Sequence, residues 1–198
     1  MHNISKLRIN TARLNMRPWH NNDREEFITL HTDPVVMSDL GGVIDVDEAH
    51  DRFDRYGMAW VTNGFGWWVV QCNQRFLGYV GVMSHSGEHP LGSHNEIGWR
   101  MHRDAWGYGF TTEAVAAALH DVFTRAGLTE VLTYTEAKNE RSQVVMERLN
   151  LKRDPKRDFS IPHSKQGVWE GLVWVITARD WNERNIYETS LNGAWIGS

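Results

Sequence analysis

The chain has 198 residues, 23% of them charged, and a formal charge of -4 at pH 7. That length suits one domain with a well-buried core, on the usual allowance of roughly 100 to 200 residues per domain. The acidic balance argues against a nucleic-acid partner, because the one basic-looking run, Lys152 to Arg157, is answered locally by Asp154 and Asp158.

Cys72 is the single cysteine, which excludes an intramolecular disulfide; among β-type neighbours it reads as a small core residue in a reducing compartment. No apolar run approaches the roughly 20 residues of a membrane span, and the start Met-His-Asn-Ile-Ser-Lys lacks the apolar core of a secretory signal. A cytoplasmic protein with no membrane contact is expected. The ten tryptophans read mainly as core and rim packing, with a few free to line a pocket.

In chain order, Leu7 to Arg17 alternates apolar and polar residues as a half-buried strand does, and Pro18 closes it. A helix with Phe27, Ile28 and Leu30 on one side begins near Asp23 and stops at Pro34. Asp39-Leu40-Gly41-Gly42 is a connector or a mobile wall. Asp45 or Asp47 caps a second helix that carries Ala49, Phe53, Tyr56 and Trp60 and ends at Asn63-Gly64. Phe65 to Gln71 and Phe76 to Met83 form a hairpin, with Gly78 and Gly81 marking a close backbone approach or a bulge.

The loop from Ser84 to Ser93 carries His85 and His89, with His94 close behind. Gly87 and Pro90 oppose a helix there, which removes the helical spacing that a pair of metal-binding imidazoles would use, so solvated histidines and no metal are expected.

Asn95 to Met101 is the next strand and leads into Arg103-Asp104-Ala105-Trp106-Gly107-Tyr108-Gly109-Phe110-Thr111-Thr112. Two glycines one residue apart let the backbone turn tightly and approach a ligand. The amides of the helix N-terminus that follows are unpaired donors suited to a phosphate. A plain strand-to-helix connector fits the same residues. No Gly-Lys-Ser/Thr follows, which excludes a nucleoside triphosphate loop, and Thr112 stands where a dinucleotide fingerprint has its third glycine.

Val115, Ala118, Leu119, Val122, Phe123 and Ala126 repeat at helical spacing up to Gly127, and Glu130 to Thr135 is a strand, so a βαβ unit with a parallel pair is predicted. Asn139 caps a helix through Leu149, Leu151 to Phe159 reads as an irregular connector, Val168 to Thr177 as a last strand, and 182–198 as a tail.

Glu96-Ile97-Gly98-Trp99, then Trp106 through Ala114, Asn139-Glu140-Arg141-Ser142 and Glu147 through Leu151, together resemble the GCN5-related N-acetyltransferases (GNAT), in particular the RimJ/RimL-like branch. Thr11-Ala12-Arg13-Leu14 with Arg17-Pro18-Trp19, and Arg75-Phe76-Leu77-Gly78, extend the resemblance to most of the chain. It implies an α+β fold, a mixed, mostly antiparallel sheet of six to seven strands flanked by helices, whose central parallel pair splays around acetyl-CoA. It also implies pyrophosphate on the amides of Gly107, Tyr108, Gly109, Phe110, Thr111 and Thr112, with Trp106 beside them. Pantetheine would run along Trp99, Arg100 and Met101, and Asn139 and Ser142 would stand near the sulfur.

Asp104 departs from the Gln or Arg common in the family, and Asn150 from its glycine; asparagine tolerates the left-handed region a helix end requires.

On this reading Glu96 is the candidate base that deprotonates the acceptor ammonium, against the plainer role of a strand-end carboxylate in a salt bridge. Ser142 is the candidate acid for the leaving thiolate, against a helix-start hydroxyl bonded to backbone, with Tyr108 and Tyr134 as rivals. The acceptor is an amine of a protein N-terminus, a polyamine or an aminoglycoside-like molecule, in a pocket expected from Leu40 to Val43, Trp60, Trp67 and the segment containing His163. The other function class left open is a non-catalytic acyl-CoA-binding or interaction module. Monomer and homodimer both fit the sequence.

Overall fold

The structure, a computed structural model, describes residues 4–38, 41–163 and 167–183. Its strands are β1 (Ile9–Asn10), β2 (Asn15–Pro18), β3 (Trp67–Cys72), β4 (Arg75–His85), β5 (His94–Met101), β6 (Glu130–Thr135), β7 (Lys152–Arg153), β8 (Phe159–His163) and β9 (Gly167–Thr177). The helices are α1 (Arg24–Thr32), α2 (Val46–Asn63), α3 (Phe110–Thr124) and α4 (Glu140–Arg148). Among the described residues the strands form one mixed sheet in the order β1-β2-β3-β4-β5-β6-β9-β7, with β8 added along β9.

The element boundaries follow local chemistry. Asp45 caps α2 by accepting the Glu48 N–H at 2.7 Å, and Gly64 closes it in the left-handed region at φ 74°. Asn73 and Gln74, at φ 49° and 66°, make the two-residue turn that joins β3 to β4. Asn150, at φ 55°, ends α4 as the sequence requires.

Three expectations are corrected. The single first strand is a two-strand ribbon, because the Thr11 hydroxyl accepts the Leu14 N–H at 3.0 Å and turns the chain between β1 and β2. The irregular connector from Leu151 to Phe159 contains β7, a 3-10 turn at Pro155–Arg157 and the start of β8. There Asp158 accepts the Val173 N–H at 3.0 Å and pairs with Arg153, which fastens the segment to β9. These short strands lengthen the sheet beyond the expected six to seven. A helix begins at residue 178, while 184–198, most of the expected tail, lie outside the described residues.

Both faces of the sheet are covered. Trp67 and Val69 pack with Phe27 and Leu30 of α1 and Phe53 of α2, whereas Trp68 and Val70 belong to the core that holds Val115, Leu119 and Val122 of α3. Burial on two sides explains why β3 reads as a continuous apolar run without alternation.

β5 is held unequally by its neighbours. It pairs with β4 from His85↔His94 to Gly78↔Met101, but with β6 it shares only the parallel register Glu96↔Leu132. Beyond that point the two strands part. Gly78 allows the tight β4 contact: at φ 144°, a Cβ there would stand 2.1 Å from the Arg100 carbonyl oxygen.

Candidate functional site

A cavity of about 290 Å³ opens where β5 ends, lined by Trp99, Arg100, Met101, Trp106, Gly107, Gly109, Thr111, Thr112, Asn139 and Ser142. Gly107 and Gly109 both adopt left-handed backbone, at φ 83° and 78°, which sets the turn into α3 and aims its first amides outward. The Thr112 hydroxyl is buried without a hydrogen-bond partner. Trp106 donates its indole N–H to the Met101 carbonyl at 3.0 Å and carries the Arg141 guanidinium 3.9 Å above its ring. A turn of free amides, an unused hydroxyl and nearby arginines suit a pyrophosphate.

Of the residues expected here, Tyr108 and Phe110 do not line the cavity. Tyr108 is 64% exposed and stacks on Phe110 at 5.8 Å, and Arg13 lies 4.7 Å over the Phe110 ring. Arg13 also donates to the Tyr108 carbonyl at 2.8 Å and to Glu113 at 2.7 Å, while the Thr11 hydroxyl donates to Glu113 at 2.5 Å. The β1–β2 turn therefore braces the glycine turn from outside. Burial pushes the Glu113 carboxyl up, but these donors outweigh it and hold it below the ordinary range. The cavity also recruits Val36, Arg141, Val144, Val145 and Arg148, which sequence reading missed. The α4 spacing 141, 144, 145, 148 was the available signal.

A second cavity, of about 140 Å³, lies on the α1/α2 side of the splay, lined by Tyr56, Trp67, Tyr79, Glu96, Gly98, Trp99, Arg100, Tyr134, Asn139 and Ser142, among others. Glu96 accepts the Tyr134 O–H and a His85 Nε2–H, each at 2.8 Å and each on Oε2. Burial, then the Glu96 charge, push the Tyr134 hydroxyl well above the ordinary phenol range, so it stays protonated and keeps donating. Asn139 caps α4 by accepting the Ser142 N–H at 3.1 Å, so the amide side chain and not the Ser142 hydroxyl makes the cap.

The histidines are not the solvated loop residues expected. His85 stacks on His94 at 4.8 Å, and His89 stacks on Tyr134 at 5.3 Å and meets Phe159 at 4.8 Å. Burial, reinforced by the neighbouring histidines, lowers the His89 pKa. Among the described residues no cluster of three or more His, Cys, Asp or Glu could hold a metal ion.

The expected acceptor pocket needs further correction. Trp60 lines neither cavity; it is 2% exposed in the core and donates its indole N–H to the Trp67 carbonyl at 2.9 Å. His163, expected on a connector, is the last residue of β8. Leu40 lies outside the described residues. Trp67 does line the second cavity, together with Tyr56 and Tyr79, which the sequence reading did not name as pocket residues.

A sheet splayed beside a glycine turn defines a class, and the sequence comparison agrees with it. Residues 13–152 match the model of the acetyltransferase (GNAT) domain. The chain belongs to that family. At that level it is a GNAT acetyltransferase, with the capacity to bind acetyl-CoA that the family carries.

Among particular relatives, the chain is 28% identical over 186 residues to the FsC-acetyl coenzyme A-N(2)-transacetylase of Aspergillus fumigatus, covering 87% of this chain and 77% of that protein. An acetyltransferase from Agrobacterium tumefaciens has the same fold, with a TM-score of 0.73 at 24% identity over 87% of this chain and 95% of that one. The spermidine N-acetyltransferase of Vibrio cholerae, solved with CoA and spermine, gives 0.69 at 16% over 87% and 99%. Among the described residues no helix is long and apolar enough to cross a membrane.

Proposed function

We propose that the chain transfers the acetyl group of acetyl-CoA directly to a primary amine within a ternary complex. The observation that carries this reading is a shared wall. Trp99, Arg100, Asn139 and Ser142 line both cavities, so a thioester approaching from the glycine turn and an amine approaching from the α1/α2 side can meet between them.

On this reading the amides of Gly107 to Thr112 hold the pyrophosphate, and the pantetheine follows Trp99 to Met101. Glu96 takes a proton from the acceptor ammonium, directly or through one water. The freed lone pair forms the C–N bond at the thioester carbonyl, which a backbone N–H of β5 near Met101 polarises, and the C–S bond breaks. Ser142 gives a proton to the departing thiolate, and the second proton that the nitrogen sheds as the amide forms passes to solvent, from which Ser142 is reprotonated. Tyr134 is a poor rival as acid, because its hydroxyl is committed to Glu96 and burial holds the proton on it. Tyr108 is mostly solvent-exposed and lines neither cavity.

The acceptor classes are a protein N-terminus, a polyamine or an aminoglycoside-like amine. The names of the relatives point to an N(2) amine in one case and to spermidine in another. Placement in the RimJ/RimL-like branch rests on the motif run alone. The same reading takes the chain as one cytoplasmic domain, monomeric or homodimeric, that needs no metal and no nucleic-acid or membrane partner.

Mixing the protein with acetyl-CoA and a panel of amines, and following free thiol, tests it. Amine-dependent thiol release that collapses in Glu96→Gln is expected. Acetyl-CoA binding without thiol release from any amine would instead indicate an acyl-CoA-binding module.

A further inference from the structure

The second cavity carries two opposite charges on one strand face. Glu96, Gly98 and Arg100 alternate on the same side of β5. Between the charges the strand floor has no side chain of its own, and Gly98 makes room for the Trp67 ring: a Cβ there would stand 2.9 Å from that ring and 4.0 Å from Glu96 Oε1. Tyr56, Trp67 and Tyr79 stand around this floor as aromatic walls.

The two charges are not equally satisfied. Glu96 has Tyr134 and His85. Arg100 Nε and Nη1 are buried with no hydrogen-bond partner, and no carboxylate among the described residues pairs with the guanidinium. Its central carbon lies 5.9 Å from the Tyr79 ring, a member of the aromatic core that α1 and α2 pack on that face. Trp67, in the same cavity, also leaves its indole N–H buried without a partner. Arginine and tryptophan can only donate, so what is missing from this cavity is an acceptor. A buried unpaired guanidinium is costly unless a ligand completes it, and a carboxylate matches its fork.

We propose that this cavity takes a zwitterionic acceptor, an amino acid whose amine faces Glu96 and whose carboxylate is held by Arg100. The proposal rests on the acetyl-transfer reading and narrows it to a substrate class. The transfer itself is unchanged: nitrogen gains the acetyl group, sulfur leaves, and the ammonium proton goes to Glu96. Arg100 is the specificity group. It also works against polyamines, whose second ammonium would be driven onto the guanidinium. A peptide N-terminus offers a neutral amide in place of the carboxylate and uses the fork less well.

Matched acceptors test this. Ornithine against putrescine, phenylalanine against phenethylamine, and β-alanine against ethylamine differ by a carboxylate, and alanine amide and an alanine dipeptide represent peptide ends. The carboxylated member of at least one pair should have kcat/KM at least tenfold higher than its partner and than the peptide-like amines. Arg100→Gln should raise its KM by about 10- to 100-fold, the loss expected for a charge-assisted contact, and Arg100→Lys should recover part of it. The preference within the pair should shrink toward one in Arg100→Gln. Equal or better use of the decarboxylated amines or peptide amides overturns the proposal. So does an Arg100→Gln effect confined to the KM for acetyl-CoA.

A binding arm separates the two levels of failure. Tryptophan fluorescence, with CoA present, is titrated with N-acetylornithine and N-acetylputrescine, and tighter binding of the carboxylated ligand, lost in Arg100→Gln, is expected. If no amine is acetylated, the transfer reading fails and this titration still decides the carboxylate site. Equal binding of the two ligands rejects the site even where transfer is observed.

Discussion

At the scale of single residues, Glu96 is defined by what holds it. Tyr134 and His85 converge on one carboxylate oxygen, Oε2, while Oε1 lies 4.0 Å from where a Gly98 Cβ would stand, on the side of the Trp67 ring. Glu96→Gln should lower kcat by about 10²- to 10⁴-fold, the usual range for loss of a general base, with little change in KM for acetyl-CoA, as steady-state kinetics will report. Ser142→Ala should cost about tenfold or less, because positioning the reactants supplies much of the acceleration and water can protonate a thiolate. A loss for Ser142→Ala as large as that for Glu96→Gln would give the serine a greater part than this account does. Glu96 could be singled out from the sequence only through the family resemblance, since a glutamate on a strand has many uses. Its partners were not legible. His85 reaches it from β4 and Tyr134 from β6, and strand register between distant segments is not written in local spacing.

Among the elements, β5 and the start of α3 matter most, and both are fixed from outside. Arg13 ties the glycine turn to Glu113, so Arg13→Ala should raise the KM for acetyl-CoA several-fold while leaving acceptor KM nearly unaltered, measured by varying each substrate in turn. Gly78→Ala drives a methyl into the Arg100 carbonyl, a backbone atom that cannot step aside, at a φ that disfavours any side chain. Chemical denaturation should find it destabilised by on the order of 2 to 4 kcal/mol. The hairpin, the caps of α2 and α4 and the α3 stripe were all legible, because each rests on residues adjacent in sequence or one turn apart. Which tryptophan lines a cavity was not. Trp67 and Trp68 are adjacent and both buried, and only the helix chosen by each face of β3 tells them apart. The β7–β8 segment was missed because Asp158 secures it to Val173, a partner far along the chain.

Across the whole molecule, the sheet separates a face that carries the glycine turn from one whose aromatic core reaches the second cavity. That second core contains His31, fully buried, with Nδ1–H donating to the Phe27 carbonyl at 2.9 Å. Its other nitrogen must then accept the Tyr79 O–H, at 3.1 Å. Burial first, then the nearby Arg100 charge, lower the His31 pKa from 6.5 to about 2. The unfolded chain binds this proton below 6.5 and the folded chain does not, so stability should fall as pH drops from 6.5. The slope attributable to His31 approaches about 1.4 kcal/mol per pH unit, and His31→Gln should lack it in denaturant titrations taken between neutral and mildly acidic pH. The glycine turn read from sequence as a possible phosphate seat acquires its meaning at this scale, where it opens onto one side of a gap whose other side is lined by aromatic rings, Glu96 and Arg100. Initial rates with acetyl-CoA and an amino acid acceptor varied together, with the acetylated amine identified by mass, test that arrangement most directly. The account predicts intersecting double-reciprocal lines and an acetylated amine. Parallel lines with an acetyl group trapped on the protein, or no acetylated amine, would contradict it.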